Sequence, residues 1–169
     1  MRPGVSFRDV HFIACRGIAA GLKGLGVMKG DVDEAVAAGA HAICMPHGLG
    51  HMMGLDVHDM EDLGEQWVGY AGQPKSTQFG LKSLRLARRL EPGFVLTIEP
   101  GIYFIEALLC NPDRREALKT VVNWDRVDDL MPIGGIRIED DVVVTRNEPE
   151  VLSRGVPKAM DDIEALMRG

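Results

Sequence analysis

The chain has 169 residues, 46% of them hydrophobic and 26% charged, which is typical of one globular domain with a full core. Nineteen basic and twenty-five acidic residues give a net charge of −6, which argues against nucleic acid as a partner, because phosphate backbones attract basic patches. No apolar run approaches the roughly twenty residues that span a bilayer, so no membrane partner is expected. Arg8 and Asp9 interrupt the first apolar stretch, so no signal peptide is predicted and the cytoplasm is the expected location.

The first part of the chain predicts two helices and a short strand. Ser6-Phe7-Arg8-Asp9 resembles a capping box, and the apolar spacing after it predicts a helix to about Leu25. Asp31 can cap a second helix that runs through about Ala38. The apolar run 42–45 is expected to be a buried strand that leads into a histidine-rich motif.

The remaining elements mix helices and strands. In chain order they are a loop at 59–80, a strand, turn and strand from Phe94 to Phe104, helical segments between 106 and 122 broken at Asn111-Pro112, a strand from Ile136 to Thr145, and a C-terminal helix from Ala159 to Met167. Because no regular alternation of strand and helix is present, the predicted fold class is α+β, as a single domain over residues 1–169. The three cysteines are widely spaced and form no CxxC pair, so neither a disulfide framework nor a thiolate zinc site is expected.

The chemistry is concentrated in one histidine-rich motif and two later glutamates. Three of the five histidines fall within twelve residues, in His47-Gly48-Leu49-Gly50-His51 and at His58, interleaved with glycines that allow close backbone approach. Glu99 follows in LTIEPG and Glu139 in GGIRIEDD. Histidine with separated glutamates is the ligand set of a hydrolytic metal site.

Strand geometry indicates how the glutamates are presented. Side chains alternate across a strand, so Glu99 should project from a strand with an apolar opposite face. Likewise, Arg137 and Glu139 should share one face, with Ile136 and Ile138 directed to the core. Taken alone, Glu99 could be a turn residue and Glu139 a surface carboxylate paired with Arg137. Together with the histidine motif, they favour a metal site.

Three segments carry a resemblance to a known family. PHGLGHMMGLDVHD, LTIEPGIYF and GGIRIEDDVVVT, in this order, resemble the pita-bread-fold metallopeptidases, which include methionine aminopeptidase, aminopeptidase P, creatinase and prolidase. Within that family, MPHGLGH, GLKSLRLARRLEPG and the long insertion between residues 103 and 134 are most similar to the X-Pro dipeptidases. The resemblance implies a metal-dependent dipeptidase that hydrolyses X-Pro dipeptides with a metal-bridged hydroxide.

The resemblance also implies metal ligands. His51 and Glu99 would bind one ion, and Glu139 would bridge two ions in the complete site. Oxygen-rich ligands with one imidazole suit Mn²⁺, with Zn²⁺ or Co²⁺ as alternatives.

Further roles are implied for the substrate-facing residues. His47 and His58 would contact substrate and stabilise the tetrahedral intermediate, and with Glu99 and Arg137 they make up the implied catalytic set. Arg85 would bind the C-terminal carboxylate of a dipeptide, because an arginine fork matches a carboxylate.

One family pattern is not found in this chain. Two aspartates in a DxG…D pattern supply the second ion's ligands, and nothing before His47 matches it. The chain is therefore expected to be the C-terminal portion of a catalytic domain, with an incomplete fold that lacks its first part and is inactive alone. The missing N-terminal portion would act in cis or as a second chain, and a homodimer is expected. Two alternatives remain: an aminopeptidase P that acts on longer X-Pro peptides, and a non-catalytic pita-bread binding module.

Overall fold

The longest element of the computed structural model, which describes residues 1–169, is helix α1 (Phe7–Gly24). Its buried positions recur every three or four residues, so one face of the helix packs on the core. They are Phe7, His11, Cys15, Ala19 and Leu22. The predicted helix is confirmed, but the capping box is wrong: the hydroxyl of Ser6 donates to the carbonyl of Ala87 at 3.0 Å instead of capping the helix.

A second helix and a tight helical turn follow α1. Helix α2 (Val32–Ala37) begins where predicted, and the Asp31 carboxylate accepts hydrogen bonds from two backbone N–H groups of its first turn. The predicted strand at 42–45 is wrong, because Ala40–Ile43 forms a 3-10 helix. The segment is fully buried, as predicted, and a short apolar run cannot distinguish a buried strand from a buried helical turn.

Five short strands form two antiparallel sheets. The strands are β1 (Val95–Ile98), β2 (Gly101–Tyr103), β3 (Gly135–Arg137), β4 (Asp140–Val143) and β5 (Glu150–Val151). One sheet has the order β1-β4-β5, and the other consists of β2 and β3. The strand predicted at Ile136–Thr145 is therefore two strands in different sheets, with Ile138 and Glu139 at the break. The two strands of Phe94–Phe104 are confirmed, but each pairs with a distant strand rather than with the other.

The other helical elements are short. They are α3 (Glu65–Val68), α4 (Glu106–Leu109), α5 (Pro112–Ala117), α6 (Trp124–Leu130), α7 (Met160–Arg168) and 3-10 turns at Glu61–Leu63, Leu81–Ser83 and Met131–Ile133. The predicted loop at 59–80 thus contains one helix and one turn, the predicted break at Asn111-Pro112 separates α4 from α5, and the C-terminal helix is confirmed. None of the helices combines the length and the apolar character that crossing a membrane requires.

One buried cluster positions the histidine motif. It joins Phe7 at the start of α1 to Leu49 inside the motif and to Leu96 on β1, all at most 2% exposed. Burying a side chain of this size stabilises the fold by about 1.5–3 kcal/mol. Because the same cluster holds the motif, α1 and β1, the position of the histidines depends on the core itself.

A second apolar surface is left open. Ile136 and Ile138 are 68% and 47% exposed, so the prediction that this strand turns its apolar face to the core is wrong. They line an open groove of about 220 Å³ together with Ile18, Pro100 and Ile102. The groove is lined mainly by apolar side chains and is open to solvent.

We expect the chain to be stable only with a complementary N-terminal polypeptide or within an intimate oligomer, because the open groove and the strand edges need a cover. Size-exclusion chromatography with light scattering, followed by thermal unfolding, checks this. The double variant Ile136→Ser, Ile138→Ser should raise the yield of soluble monomer. Ile13→Ser, at a similarly exposed but isolated position on α1, should not. A monodisperse wild-type monomer that unfolds cooperatively would contradict the expectation.

Candidate active site

The histidine motif runs alongside β1 and is hydrogen-bonded to it. The amide of Thr97 donates to the carbonyl of His51 at 3.0 Å, and the amide of Glu99 donates to the carbonyl of Leu49 at 2.8 Å. These bonds bring the imidazole of the motif next to the carboxylate at the end of the strand. His51 Nε2 lies 3.3 Å from Glu99 Oε1.

The glycines of the motif are required by this close approach. A Cβ atom on Gly50 would lie 2.7 Å from the carbonyl carbon of Thr97 and closer still to its oxygen. A Cβ on Gly48 would lie 2.8 Å from the Cα of Leu84. Only glycine lets backbone pass this near to other backbone without displacing it. Gly48 and Gly50 are therefore required sterically, in agreement with the close backbone approach that the motif predicts.

Hydrogen bonds orient the His51 imidazole and the Glu99 carboxylate. The Thr97 hydroxyl donates to Glu99 Oε1 at 3.0 Å and accepts from the His51 amide at 3.0 Å. His51 Nδ1 contacts the carbonyl of Met52 at 2.9 Å; since a carbonyl can only accept, Nδ1 carries the proton. In the neutral ring, Nε2 and the Glu99 carboxylate then face each other as two acceptors. This arrangement suits a cation held between them.

Arg137 links the two predicted glutamates. Its Nη1 lies 3.6 Å from Glu99 Oε2 and its Nη2 lies 3.0 Å from Glu139 Oε2. Partial burial lowers the pKa of Arg137, the charges of Glu139 and Glu99 raise it, and the net effect leaves the pKa raised. The ligand atoms of His51, Glu99 and Glu139 do not converge within 4.8 Å of one another. The structure thus brings His51 and Glu99 together and places Glu139 on the far side of the guanidinium.

The other two motif histidines surround this pair. The His58 ring contacts the His51 ring edge-on, with centroids 4.3 Å apart. His47 donates from Nδ1 to the Gly48 carbonyl at 2.7 Å, and its Nε2 is buried without a hydrogen-bond partner. Its ring lies 5.3 Å from that of Tyr103, an aromatic residue of β2 that the sequence analysis did not single out.

Arg85 lies next to His58. Its Nη1 contacts His58 Nδ1 at 3.0 Å, and it forms an ion pair with Glu61. Sequence reasoning missed Glu61, because a single glutamate in a segment of mixed charge carries no signal of its partner.

These residues line one cleft of about 250 Å³ that has no hydrophobic side chain. Its lining residues are His47, Gly48, Gly50, His51, His58, Ser83, Arg85, Glu99 and Arg137. Every predicted site residue except Glu139 is among them. No cysteine lines the cleft, and imidazole with carboxylate suits Mn²⁺ better than a thiolate-preferring ion.

Comparison with known proteins identifies the family of the chain. Residues 1–146 match metallopeptidase family M24, and the chain belongs to that family. The human Xaa-Pro dipeptidase is 43% identical over all 169 residues, and the Xaa-Pro dipeptidase of Stenotrophomonas maltophilia (strain R551-3) is 41% identical over 160 residues, or 92% of the chain. Both pairings cover only part of the relative, 33% and 34% of its length.

Solved structures confirm the predicted α+β pita-bread fold. Proline aminopeptidase P II from Yersinia pestis superposes with a TM-score of 0.69 at 38% identity. Aminopeptidase P from Escherichia coli with the inhibitor Pro-Leu gives 0.67 at 40% identity. Each pairing covers 99% of this chain and 30% of the solved chain. The chain therefore spans about a third of the length of the relatives that it matches.

Proposed function

We propose that the protein to which this chain belongs is a metal-dependent dipeptidase that hydrolyses X-Pro dipeptides. The observation that carries the proposal is the pairing of His51 Nε2 with the Glu99 carboxylate at 3.3 Å in an all-polar cleft that Arg85 also lines. The Xaa-Pro dipeptidases at 41–43% identity support the choice of substrate.

In this proposal, His51 and Glu99 would hold one ion, and Glu139 would bridge that ion and a second one in the complete site, with Mn²⁺ as the expected metal. When bound, the ions supply a hydroxide at neutral pH and polarise the scissile carbonyl. Glu99 accepts and returns the proton of the attacking water, because Thr97 and Arg137 keep its carboxylate oriented. Arg137 offsets the charge of two neighbouring carboxylates.

Different roles for the two flanking histidines are supported by their hydrogen bonds. Arginine can only donate, so the contact from Arg85 makes His58 Nδ1 an acceptor and places the proton of the neutral ring on Nε2. His58 then has an N–H for the developing oxyanion. His47 donates from Nδ1 to Gly48, so its Nε2 is an acceptor, suited to an N–H group of the substrate.

Hydrolysis assays on the full-length protein loaded with Mn²⁺ test the proposal. We expect kcat/KM to be higher on an X-Pro dipeptide than on the same sequence extended by one residue. The alternative, an aminopeptidase P, is favoured by the solved structures that match this chain, and it predicts the reverse order. Hydrolysis of neither substrate would support a non-catalytic binding module and would refute both enzymatic proposals.

The chain alone should hold at most one ion in the cleft, because only two of the predicted ligands converge there. The number of metal ions bound per chain is measured after gel filtration for the wild type and for His51→Ala. The difference between the two is the number of ions that the cleft holds. We expect a loss of one ion or fewer per chain. A loss of two tightly held ions would show that the cleft is complete without further residues.

Two further features belong to the proposal. We propose the cytoplasm as the compartment, because all three cysteines are free thiols, which is typical of a reducing environment. We also propose that the complete enzyme includes an N-terminal portion and assembles as a homodimer, since an apolar groove on this chain lacks a cover.

A further inference from the structure

A second group of potential metal ligands lies outside the cleft. His11 and Cys15 are one turn apart on the buried face of α1, and His41 belongs to the 3-10 helix that packs against it. One donor atom from each residue lies within 4.8 Å of the other two. Residues four apart on a helix share one face, so α1 presents its histidine and thiol to the same point.

All three side chains are buried. His11 and Cys15 are completely inaccessible and His41 is 1% exposed. Neither ring nitrogen of His41 has a hydrogen-bond partner, and His11 Nδ1 also has none. A buried polar group without a partner costs about 1–3 kcal/mol, so two such histidines side by side call for a reason.

We infer that His11, Cys15 and His41 form a binding site for one thiophilic divalent ion of the Zn²⁺ type, separate from the cleft. Two imidazoles and a thiolate are a donor set that Zn²⁺ prefers. Tetrahedral coordination with Zn–S of about 2.3 Å and Zn–N of about 2.0–2.1 Å places ligand atoms about 3.5 Å apart. Cys15 Sγ and His11 Nε2 are already 3.3 Å apart.

Both histidines are in the protonation state that binds a metal ion, whereas the Cys15 thiol must lose its proton. Burial, aided by the nearby His41 and His47, lowers the pKa of His11 to about 4, and burial lowers that of His41 to about 4. Both rings are therefore neutral at pH 7, the form that binds metals. Burial raises the pKa of the Cys15 thiol to about 12, so the ion replaces the thiol proton, which leaves to solvent.

The sequence does not predict this site, because its cysteines are widely spaced and a thiolate zinc site is usually recognised by a CxxC pair. Here the fold supplies histidines in place of the second cysteine. His41 lies one residue before the predicted strand at 42–45 and thirty residues from His11, so nothing in the sequence pairs the two histidines.

Titration of the metal-stripped protein with Co²⁺ under anaerobic conditions tests this inference. Co²⁺ bound to a thiolate gives a near-ultraviolet charge-transfer band, whereas Co²⁺ in the cleft, which lacks cysteine, does not. We expect a band that saturates at one equivalent, disappears when Zn²⁺ is added, and persists in His51→Ala. Cys15→Ser should abolish it. Cys44→Ser is the matched control, because Cys44 is also completely buried, and it should keep the band.

The variant His41→Gln makes the test independent of the thiol. It should weaken Co²⁺ binding by more than the roughly 10–100-fold that follows loss of an outer-shell partner, since it removes a direct ligand. Circular dichroism shows whether Cys15→Ser and His41→Gln are folded. If one of these two variants does not fold, the other one tests the inference. Absence of the band in the wild-type protein, or its persistence in folded Cys15→Ser, would overturn the inference.

Discussion

Replacing Arg85 with alanine in the full-length enzyme should lower kcat/KM on X-Pro dipeptides roughly ten- to a hundred-fold. A charge-assisted, bidentate contact with the substrate carboxylate contributes about 1.5–3 kcal/mol, and each 1.36 kcal/mol corresponds to a factor of about ten. Arg85→Lys should not fully restore the rate, because an ammonium group lacks the planar fork. X-Pro tripeptides should be affected much less, since their carboxylate lies one residue further away.

The structure supplies the control for this experiment. Lys82 belongs to the same basic run but is exposed and does not line the cleft, so Lys82→Ala should leave both substrates unaffected. Equal losses on dipeptide and tripeptide for Arg85→Ala would mean that Arg85 supports His58 and does not measure substrate length. The contact between Arg85 and His58 would be the physical reason for such equal losses.

Gly50→Ala should destabilise the protein by about 3 kcal/mol or more, at the upper end of overpacking substitutions. Its new methyl group would overlap the Thr97 carbonyl, which is backbone and cannot rotate away. At about 2–4 °C per kcal/mol for a chain of this size, thermal unfolding should shift downward by about 6–12 °C.

Gly21→Ala is the matched control for the same change. Gly21 lies in the exposed interior of α1 with nothing within 4 Å of its added Cβ, so alanine there should stabilise the helix by about 0.5–1 kcal/mol. Equal unfolding temperatures for the two variants would refute the steric account of the motif glycines.

The sequence predicted the elements of the site better than their arrangement. Periodicity identified α1 and the C-terminal helix, and the Asp31 cap identified α2, because these signals depend on neighbouring residues. The structure brings His51 of the histidine motif next to Glu99. Glu139 was placed on a continuous strand, and nothing local in GGIRIEDD marks the break that transfers the chain from one sheet to the other.

The errors share one physical origin. Ile136 and Ile138 have the alternation of a half-buried strand, yet burial depends on what covers the strand, which is a property of distant chain segments. Likewise, Ser6 is a good capping residue by type, but its hydroxyl finds the carbonyl of Ala87, more than eighty positions away in the sequence.

The hydrogen bonds between the histidine motif and β1 have a consequence for how the site can move. The Thr97 and Glu99 amides hold the motif to the strand, so the site can open only if this part of the sheet frays with it. Amide exchange at these two positions would then be among the slowest in the chain. His51 and Glu99 are thereby fixed to the sheet, so a substrate that reaches them meets a pair whose spacing the backbone sets.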